Sequence, residues 1–335
     1  MSNRAAVMPE LHRINIEQVP DPAPSPHQAV VRVEAVGVCG SDTAYYKVGR
    51  IGDYVVDGPI ILGHEVAGQV IEVGADVTNV KVGDRVAIEP GTPCRNCEQC
   101  FAGRYHLCPN LVFLATPPYD GALVEKMAID ARNLHPLPDN MSYEQGALVE
   151  PLSVGIWGCK RAGLQAGDDV LVTGAGPVGL LAAAAARAMG ALSVTLTDVS
   201  DFRLDLAFTM GFDTEHSAEP MAKTFDVLLE CSGAPGVLGS GLTRLRPAGR
   251  AAMIGMSKEP QIPLPLSQLN VNELTISLVN RYQNTWPLGI ALISSGRVDV
   301  APLITHHFPL EKTEEALLLG STVSNSVKAV IHPQR

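Results

Sequence analysis

Residues 169–198 read DVLVTGAGPVGLLAAAAARAMGALSVTLTD, and this stretch decides the fold of the chain. The β-branched run at residues 170–173 predicts a buried parallel strand. The alanine-rich run that follows, to Met189, predicts a helix that ends at Gly190. Residues 193–197 predict the next strand. Strand, glycine turn, helix and strand in this order are typical of one βαβ unit.

The pattern G-x-G-x-x-G lies between the first strand and the helix, at residues 174–179. Gly174 permits a tight turn, Gly176 lets the backbone approach a pyrophosphate, and Gly179 lets helix and strand pack closely. The free N–H groups at the helix N-terminus attract phosphates. Because the strands and helix accompany it, the pattern predicts a dinucleotide site.

Asp198 ends the second strand, where it is placed to accept hydrogen bonds from a ribose diol. With Asp201 close behind, it would repel the 2′-phosphate of NADP. Arg203 could soften that repulsion or lie along the adenine, and a solvated helix position is an equally good interpretation. The sequence therefore favours NAD.

The composition indicates a compact globular protein, since 46% of the 335 residues are hydrophobic and 18% are charged. The net charge of −10 argues against nucleic acid or an anionic membrane as partner. The N-terminus has no apolar core of signal-peptide length, and the longest apolar run is too short to span a membrane. We therefore expect a cytoplasmic chain, in which clustered cysteines indicate metal sooner than disulfides.

The chain divides into three segments that differ in their pattern of apolar and turn-forming residues. Residues 1–151 consist of short alternating runs between Gly and Pro turns, which predicts an irregular, barrel-like β domain. Residues 152–280 alternate strands with helices, which predicts an α/β domain with a doubly wound parallel sheet of six strands. Residues 281–335 again show the mixed pattern of the first segment and are expected to rejoin the first domain. The cofactor would then lie in the cleft between the two domains.

Four cysteines follow one another closely, at Cys94, Cys97, Cys100 and Cys108. Thiolates at this spacing can close a tetrahedral zinc site within one loop. Unpaired thiols or disulfides are the alternative. Because sulfur fills all four positions, such a zinc would be structural.

A second group of possible ligands is spread over more than a hundred residues. Cys39 lies in the run VGVCGSD, His64 and Glu65 lie in GHE, and Glu150 precedes Pro151. Taken separately, they could be a buried thiol, a core histidine and surface carboxylates, and spacing alone cannot assemble them. A dehydrogenase that uses NAD must polarise an alcohol and remove its proton, and an open zinc site does both.

Taken together, VGVCGSD, GHE, the four-cysteine loop and the glycine turn resemble the zinc-dependent medium-chain alcohol dehydrogenases, in the right order over the whole chain. Within that family the chain is similar to the polyol dehydrogenases that act on sorbitol and xylitol. The stretches that carry this second resemblance are GRIG at 49–52, AIEPG at 87–91, EPLSVG at 150–155, RYQNTWP at 281–287 and FPLEK at 308–312. The resemblance implies a chaperonin-10-like catalytic domain, an NAD-binding Rossmann domain and a tetramer.

The resemblance also implies roles for individual residues. Cys39, His64 and Glu65 would bind a catalytic zinc, and Glu150 would reach it directly or through its water. Many members have cysteine at the position of Glu150, and a carboxylate makes the site harder and more labile. The residues expected to contact substrate are Tyr45, Glu150, Arg281 and Tyr282. The residues expected at the cofactor are Gly174, Gly176, Pro177, Val178, Gly179, Asp198, Arg203, Ile254, Gly255, Met256, Val279, Asn280 and Arg281.

The sequence thus predicts an enzyme with two zinc ions per chain that uses NAD to oxidise a polyol to a ketose. Ser41 is placed to accept the hydroxyl proton, and a local cap is the other interpretation of that serine. One alternative keeps the family and changes the substrate to threonine, butanediol, galactitol or a simple alcohol. Another is an NAD-binding protein without turnover. The preferred polyol, the physiological direction and the subunit number stay open.

Overall fold

A computed structural model describes residues 3–219, 222–257, 259 and 261–335 of the chain. Contacts divide the chain into two compact units. The first unit combines Met1–Glu150 with Leu303–Arg335, and the second is Pro151–Pro302. Within the described residues, no helix is both long and apolar enough to cross a membrane.

The first unit begins with a β-rich segment. Its elements, in chain order, are β1 (Asn3–Glu10), β2 (Arg13–Val19), β3 (Gln28–Gly37), α1 (Gly40–Val48), β4 (Arg50–Ile51), β5 (Tyr54–Val55), β6 (Ile60–Ile61), β7 (Glu65–Val73), β8 (Arg85–Ile88), β9 (Gly91–Thr92), α2 (Glu98–Phe101), β10 (Val112–Phe113), β11 (Lys126–Asp130), β12 (Leu134–Pro136) and α3 (Tyr143–Ala147).

The next helix begins before the boundary between the units, and the second unit then alternates strands with helices. The elements are α4 (Val149–Arg161), β13 (Asp169–Thr173), α5 (Pro177–Ala188), β14 (Ser193–Asp198), α6 (Asp201–Thr209), β15 (Asp213–His216), β16 (Phe225–Glu230), α7 (Val237–Leu242), β17 (Leu245–Met253), α8 (Leu266–Val271), β18 (Thr275–Leu278) and α9 (Trp286–Ser294). The chain then completes the first unit with β19 (Ile304–Pro309), α10 (Thr313–Thr322) and β20 (Lys328–His332).

Strand β3 is the centre of the first unit. It pairs with β7, β11 and β20 in a seven-stranded sheet that runs β12-β8-β7-β3-β20-β19, with β11 off this path. The pairings are antiparallel except for β19 with β20, which run parallel. The valines and alanines of β3 are almost fully buried, and Ala29, Val31, Val33 and Val36 belong to the apolar core of this unit. The predicted β-rich, barrel-like domain is confirmed.

The second unit is built on a six-stranded sheet in the order β15-β14-β13-β16-β17-β18. All its pairings are parallel. In sequence order this is 3-2-1-4-5-6, which is the doubly wound dinucleotide-binding arrangement. The six predicted strands are confirmed, including the short one at Asp213–His216. The strand order reverses between β13 and β16, so a ligand is expected beyond the carboxyl ends of these two strands.

The predicted return to the first unit at residue 281 is wrong, because the second unit continues to Pro302. The intervening segment contains α9, an apolar helix with Trp286, Ile290 and Ile293 buried. The mixed sequence pattern of this segment comes from the loops on either side of that helix. The chain rejoins the first unit where β19 pairs with β20.

The glycine turn has the backbone that its sequence predicts. Gly174 has a φ of +90°, a left-handed conformation that glycine adopts without strain. At Gly179, in the first turn of α5, an added Cβ would lie 1.8 Å from the carbonyl oxygen of Gly174. Helix and strand therefore approach each other at a distance that only glycine permits.

We predict that Gly179→Ala destabilises the second unit. Alanine favours a helix over glycine, but here its Cβ must displace the backbone at Gly174, and overpacking of this kind costs about 1–3 kcal/mol. Gly320→Ala is the matched control, since Gly320 also lies in a helix and no atom lies within 4 Å of an added Cβ. Thermal unfolding should show a lower Tm for Gly179→Ala alone. Equal Tm values for the two variants would contradict the close approach.

Candidate active site

Cys39, His64 and Glu65 come together in the first unit. Cys39 is the N-cap residue of α1, and Glu65 begins β7, where it pairs with Gly37 of β3. The possible ligand atoms of the three side chains all lie within 4.8 Å of one another. His64 and Glu65 are buried, and Cys39 is half-buried. The pairing of β3 with β7 therefore assembles what the spacing in the sequence could not.

Asp42 holds the first part of this group in place. Its carboxylate accepts hydrogen bonds from the backbone N–H groups of Cys39 and Gly63, each at 3.0 Å. It also lies 3.4 Å from Nδ1 of His64. Burial opposes ionisation, but the charge of His64 and these hydrogen bonds keep the pKa of Asp42 below its usual value. An ionised carboxylate at Nδ1 turns Nε2 of His64 toward a ligand, as in many zinc sites.

Lys328, like Asp42, lies near the site and is not among the residues that the sequence predicts there. Its Nζ lies 2.6 Å from Oε1 of Glu65 and 2.5 Å from Oε2, and it donates to the carbonyl oxygen of Val38 at 2.8 Å. Burial would lower the pKa of Lys328, but the charges of Glu65 and Cys39 outweigh it and raise the pKa. A single lysine inside the apolar run VKAVI was the available signal, since a buried charge needs a partner.

The residues present fit a zinc ion. They offer a thiol, an imidazole and a carboxylate, which are the donors that zinc prefers. Oε1 of Glu65 takes the hydrogen bond from Lys328, whereas Oε2, although close to the same nitrogen, has no partner with hydrogen-bond geometry among the described residues. Three protein donors leave one position of a tetrahedron open, which is the arrangement of catalytic rather than structural zinc.

Glu150 lies outside the group of three donors. It is the second residue of α4, it is buried at 5% exposure, and its charge helps to raise the pKa of Lys328. The expected ligand is therefore near the cation that holds Glu65. Ser41 lies in the first turn of α1, and Tyr45 is buried further along that helix. Their expected roles in proton transfer and substrate binding stay predictions.

The four cysteines of the loop around α2 form a second cluster. The Sγ–Sγ distances are 3.5 Å from Cys97 to Cys100, 3.9 Å from Cys97 to Cys108 and 4.0 Å from Cys94 to Cys100. Sulfur atoms around a tetrahedral zinc lie about 3.8 Å apart, because each Zn–S bond is about 2.3 Å long. All seven cysteines are free thiols, so disulfides do not compete. The cluster fits a closed zinc site with no position left for substrate.

The residues expected at the cofactor include a group at the carboxyl ends of the strands of the second unit. Gly176 is the N-cap of α5, and an added Cβ there would meet only Nη1 of Arg203, at 3.9 Å. The helix start therefore has space for a phosphate, and the expected role of Gly176, Pro177 and Val178 at the cofactor stays a prediction. Asp198 accepts the N–H of Ala175 at 2.7 Å, and Nη1 of Arg203 lies 4.0 Å from its carboxylate. Arg203 thus faces the acidic side chain rather than standing apart from it.

Glu230, at the end of β16, is a second buried carboxylate that the sequence analysis left out. It accepts the N–H groups of Ser232 and Gly233 at 2.8 and 2.9 Å, and its carbonyl oxygen accepts those of Ile254 and Gly255. These bonds fix the turn that continues to Met256. An acidic residue that ends an apolar strand was the signal, as at Asp198.

The last group of predicted residues follows β18. The N–H of Val279 bonds to the carbonyl oxygen of Met253, so residues 279 and 280 continue beside β17. Arg281 has a φ of +54°, and the buried ring of Tyr282 meets Trp286 edge-on. The structure therefore places Val279, Asn280, Arg281 and Tyr282 in the second unit.

The residue at position 37 must lack a side chain, because Glu65 occupies the space beside it. An added Cβ there would lie 2.1 Å from Oε2 of Glu65. We predict that Gly37→Ala displaces that carboxylate and weakens zinc binding at Cys39, His64 and Glu65 about 10–100-fold, as the loss of a supporting contact does in other sites. Zinc retained after dialysis against a chelator should fall by one ion per chain.

The matched control for Gly37→Ala is Gly40→Ala, because Gly40 adjoins Cys39 but has no atom within 4 Å of an added Cβ. That variant should keep the zinc content of the wild type. Equal zinc retention by both variants would mean that the carboxylate of Glu65 does not need the space at Gly37.

Comparison with known proteins agrees with these two units. The profile of the family described as "Alcohol dehydrogenase GroES-like domain" matches residues 25–139, and that described as "Zinc-binding dehydrogenase" matches residues 177–295. The chain is 43% identical to sorbitol dehydrogenase of Bacillus subtilis, over 99% of this chain and 98% of that protein. It is 43% identical to human sorbitol dehydrogenase, over 90% of this chain and 88% of that protein.

Among solved structures, an Escherichia coli oxidoreductase of unknown specificity superposes with a TM-score of 0.94 at 32% identity, covering 99% of each chain. The identity to the sorbitol dehydrogenases is above 40% over nearly the full length, and two family profiles match. This agreement shows membership of the family and not only a similar fold. The chain therefore belongs to the zinc-binding medium-chain dehydrogenases, the family that includes the sorbitol dehydrogenases, and is an oxidoreductase that acts on CH–OH groups with zinc and NAD.

Proposed function

We propose that this enzyme oxidises a polyol of the sorbitol or xylitol type at a secondary alcohol and forms a ketose. The observation that carries the proposal is the group of Cys39, His64 and Glu65, three protein donors that would leave one position of a zinc tetrahedron open. The relatives named sorbitol dehydrogenases support the choice of substrate, since they match the chain at 43% identity. The RYQNTWP stretch that begins at Arg281 supports it as well.

Cys39, His64 and Glu65 would hold the catalytic zinc, and Glu150 would reach it directly or through its water. Cys94, Cys97, Cys100 and Cys108 would hold the structural zinc. When bound, the catalytic zinc would act as a Lewis acid toward the substrate oxygen, and NAD would accept the hydride.

Side chains around the donors prepare the site for this chemistry. Asp42 fixes the ring of His64, and Lys328 neutralises part of the negative charge that Glu65 and Glu150 bring into the interior. Ser41, in the turn that begins with Cys39, would accept the hydroxyl proton and pass it toward solvent. Ser41, and not one of the three metal donors, would then remove the proton. Cys39, His64 and Glu65 could therefore stay bound to the metal.

Particular residues would bind the cofactor, and others the substrate. Asp198 would accept the ribose hydroxyls, with Arg203 beside it, and the start of α5 would face the pyrophosphate. Gly174, Pro177, Val178 and Gly179 would form the rest of that turn, and Ile254, Gly255, Met256, Val279, Asn280 and Arg281 would line the remainder of the cofactor. Tyr45, Glu150, Arg281 and Tyr282 would contact the substrate hydroxyls.

The substrate is a small molecule, and we further propose that the enzyme works as a cytoplasmic homotetramer. Free thiols at all seven cysteines support a reducing compartment. The tetramer rests on the resemblance to the polyol dehydrogenases.

The substrate assignment predicts the order of initial rates in a panel. Initial rates are measured over a range of concentrations of sorbitol, xylitol, galactitol, threonine and 2,3-butanediol, each with NAD and with NADP, so that kcat/KM can be compared. We expect sorbitol or xylitol with NAD to give the highest kcat/KM, because the acidic Asp198 disfavours a 2′-phosphate. Higher kcat/KM with threonine or butanediol would move the enzyme to another branch of the family, and no turnover with any alcohol would favour a binding protein.

Glu150 provides the test of the metal assignment. Glu150→Gln keeps the size of the side chain and removes its charge, so we predict at least about a tenfold loss of kcat or of zinc affinity. NAD affinity, measured by fluorescence titration, should stay near the wild-type value because Asp198 and the glycine turn are unchanged. Normal kcat with full zinc content in Glu150→Gln would remove Glu150 from the metal and leave Glu65 as its carboxylate ligand.

A further inference from the structure

Glu144, His307 and His332 form a third group of possible metal ligands in the first unit. Glu144 lies in α3, His307 in β19 and His332 at the end of β20. β20 carries Lys328 at its other end, so His332 lies about 13 Å along the strand from the residue that contacts Glu65. The group is thus separate from the site of Cys39 and from the four-cysteine loop.

The three ligand atoms form a nearly equilateral triangle. Oε1 of Glu144 lies 3.2 Å from Nδ1 of His307 and 3.2 Å from Nε2 of His332, and the two nitrogens lie 3.2 Å apart. Donor atoms bound tetrahedrally to zinc at about 2.0–2.1 Å are separated by about 3.3 Å. The triangle therefore has the size of one face of a zinc tetrahedron.

The hydrogens available to this triangle are too few for it to be held by hydrogen bonds when both rings are neutral. Nδ1 of His332 lies 3.2 Å from the carbonyl oxygen of Glu34, which can only accept, so Nδ1 carries the hydrogen of that ring. Nε2 of His332 then presents a lone pair to Oε1 of Glu144. If His307 carries its hydrogen on Nδ1, that hydrogen can go to only one of two acceptors, Oε1 of Glu144 or Nε2 of His332. If His307 carries it on Nε2 instead, none of the three atoms has a hydrogen to donate, and a cation would satisfy all three.

The surroundings also fit a metal ligand set. A histidine that donates its second nitrogen to a backbone carbonyl, as His332 does to Glu34, is the usual support of a metal-bound imidazole. The His332 side chain is 7% exposed, whereas that of His307 is 46% exposed, so an ion has a path from solvent and room for a water as fourth ligand. The charge of Arg335 near His332 opposes a cation, and the carboxylate of Glu144 offsets it.

We propose that Glu144, His307 and His332 bind a third zinc ion, which joins α3 to the two strands that complete the first unit. Two imidazoles and one carboxylate are a ligand set that suits zinc. An ion that binds only the folded chain stabilises it by mass action. The proposal does not depend on the substrate or on turnover.

The test counts zinc in the whole enzyme. Each protein is desalted, its retained zinc is measured, and the further zinc that it takes up is measured by calorimetric titration with zinc chloride. The sum of retained and titrated zinc should be one ion per chain higher in the wild type than in His307→Gln and Glu144→Gln. Summing both amounts makes the result independent of how full the site is after purification.

His306→Gln is the matched control, because His306 is the neighbouring histidine of β19 and its Nδ1 lies 3.0 Å from Oγ1 of Thr305 instead. It should keep the wild-type sum. Added zinc should raise the Tm of the wild type and of His306→Gln, but not of the two ligand variants. Equal sums in all four proteins, or loss of the ion in His306→Gln as well, would overturn the proposal and leave the triangle as an ion pair between Glu144 and protonated histidine.

Discussion

The buried ion pair between Lys328 and Glu65 is the interaction on which the first unit depends. Both side chains are 3% exposed or less, and Lys328 belongs to the last strand of the chain. Removing one member of such a pair costs about 3–5 kcal/mol, because the other charge stays in the interior without a partner. The pair therefore ties the segment that returns after the second unit to β7, beside the residues that would hold the catalytic zinc.

The same pair explains how one site can carry so much negative charge. A cysteine thiolate and two carboxylates in the protein interior would repel one another strongly without compensation. The ammonium of Lys328 compensates part of this charge in the protein itself, and Asp42 stabilises the ring of His64 from the other side. The donors are thus held near their final positions before any ion arrives, which lowers the reorganisation that metal binding requires.

The features that the sequence predicts are the local ones. The glycine turn, the six parallel strands and the four-cysteine loop each lie within a short stretch, so spacing determines their geometry. Cys39, His64 and Glu65 required the resemblance to a family, because strand pairing brings them together. Lys328 and the triangle of Glu144, His307 and His332 depend on the register of β19 and β20, which no periodicity of those strands reveals. The boundary at residue 281 was misplaced because α9 is flanked by loops whose composition matches that of the first domain.

The discontinuity of the first unit has a consequence for synthesis on the ribosome. The second unit is one continuous stretch, Pro151–Pro302, so it can fold as soon as that stretch has emerged. The first unit must wait, since its central strand β3 lacks β20 as a neighbour until Leu303–Arg335 follows. Until then Val36 and Gly37 of β3 lack their partners on that edge, and Glu65 has no ammonium beside it. The order of folding is therefore the reverse of the order of synthesis. The first unit, whose metal ligands are synthesised first, is the last to complete its fold.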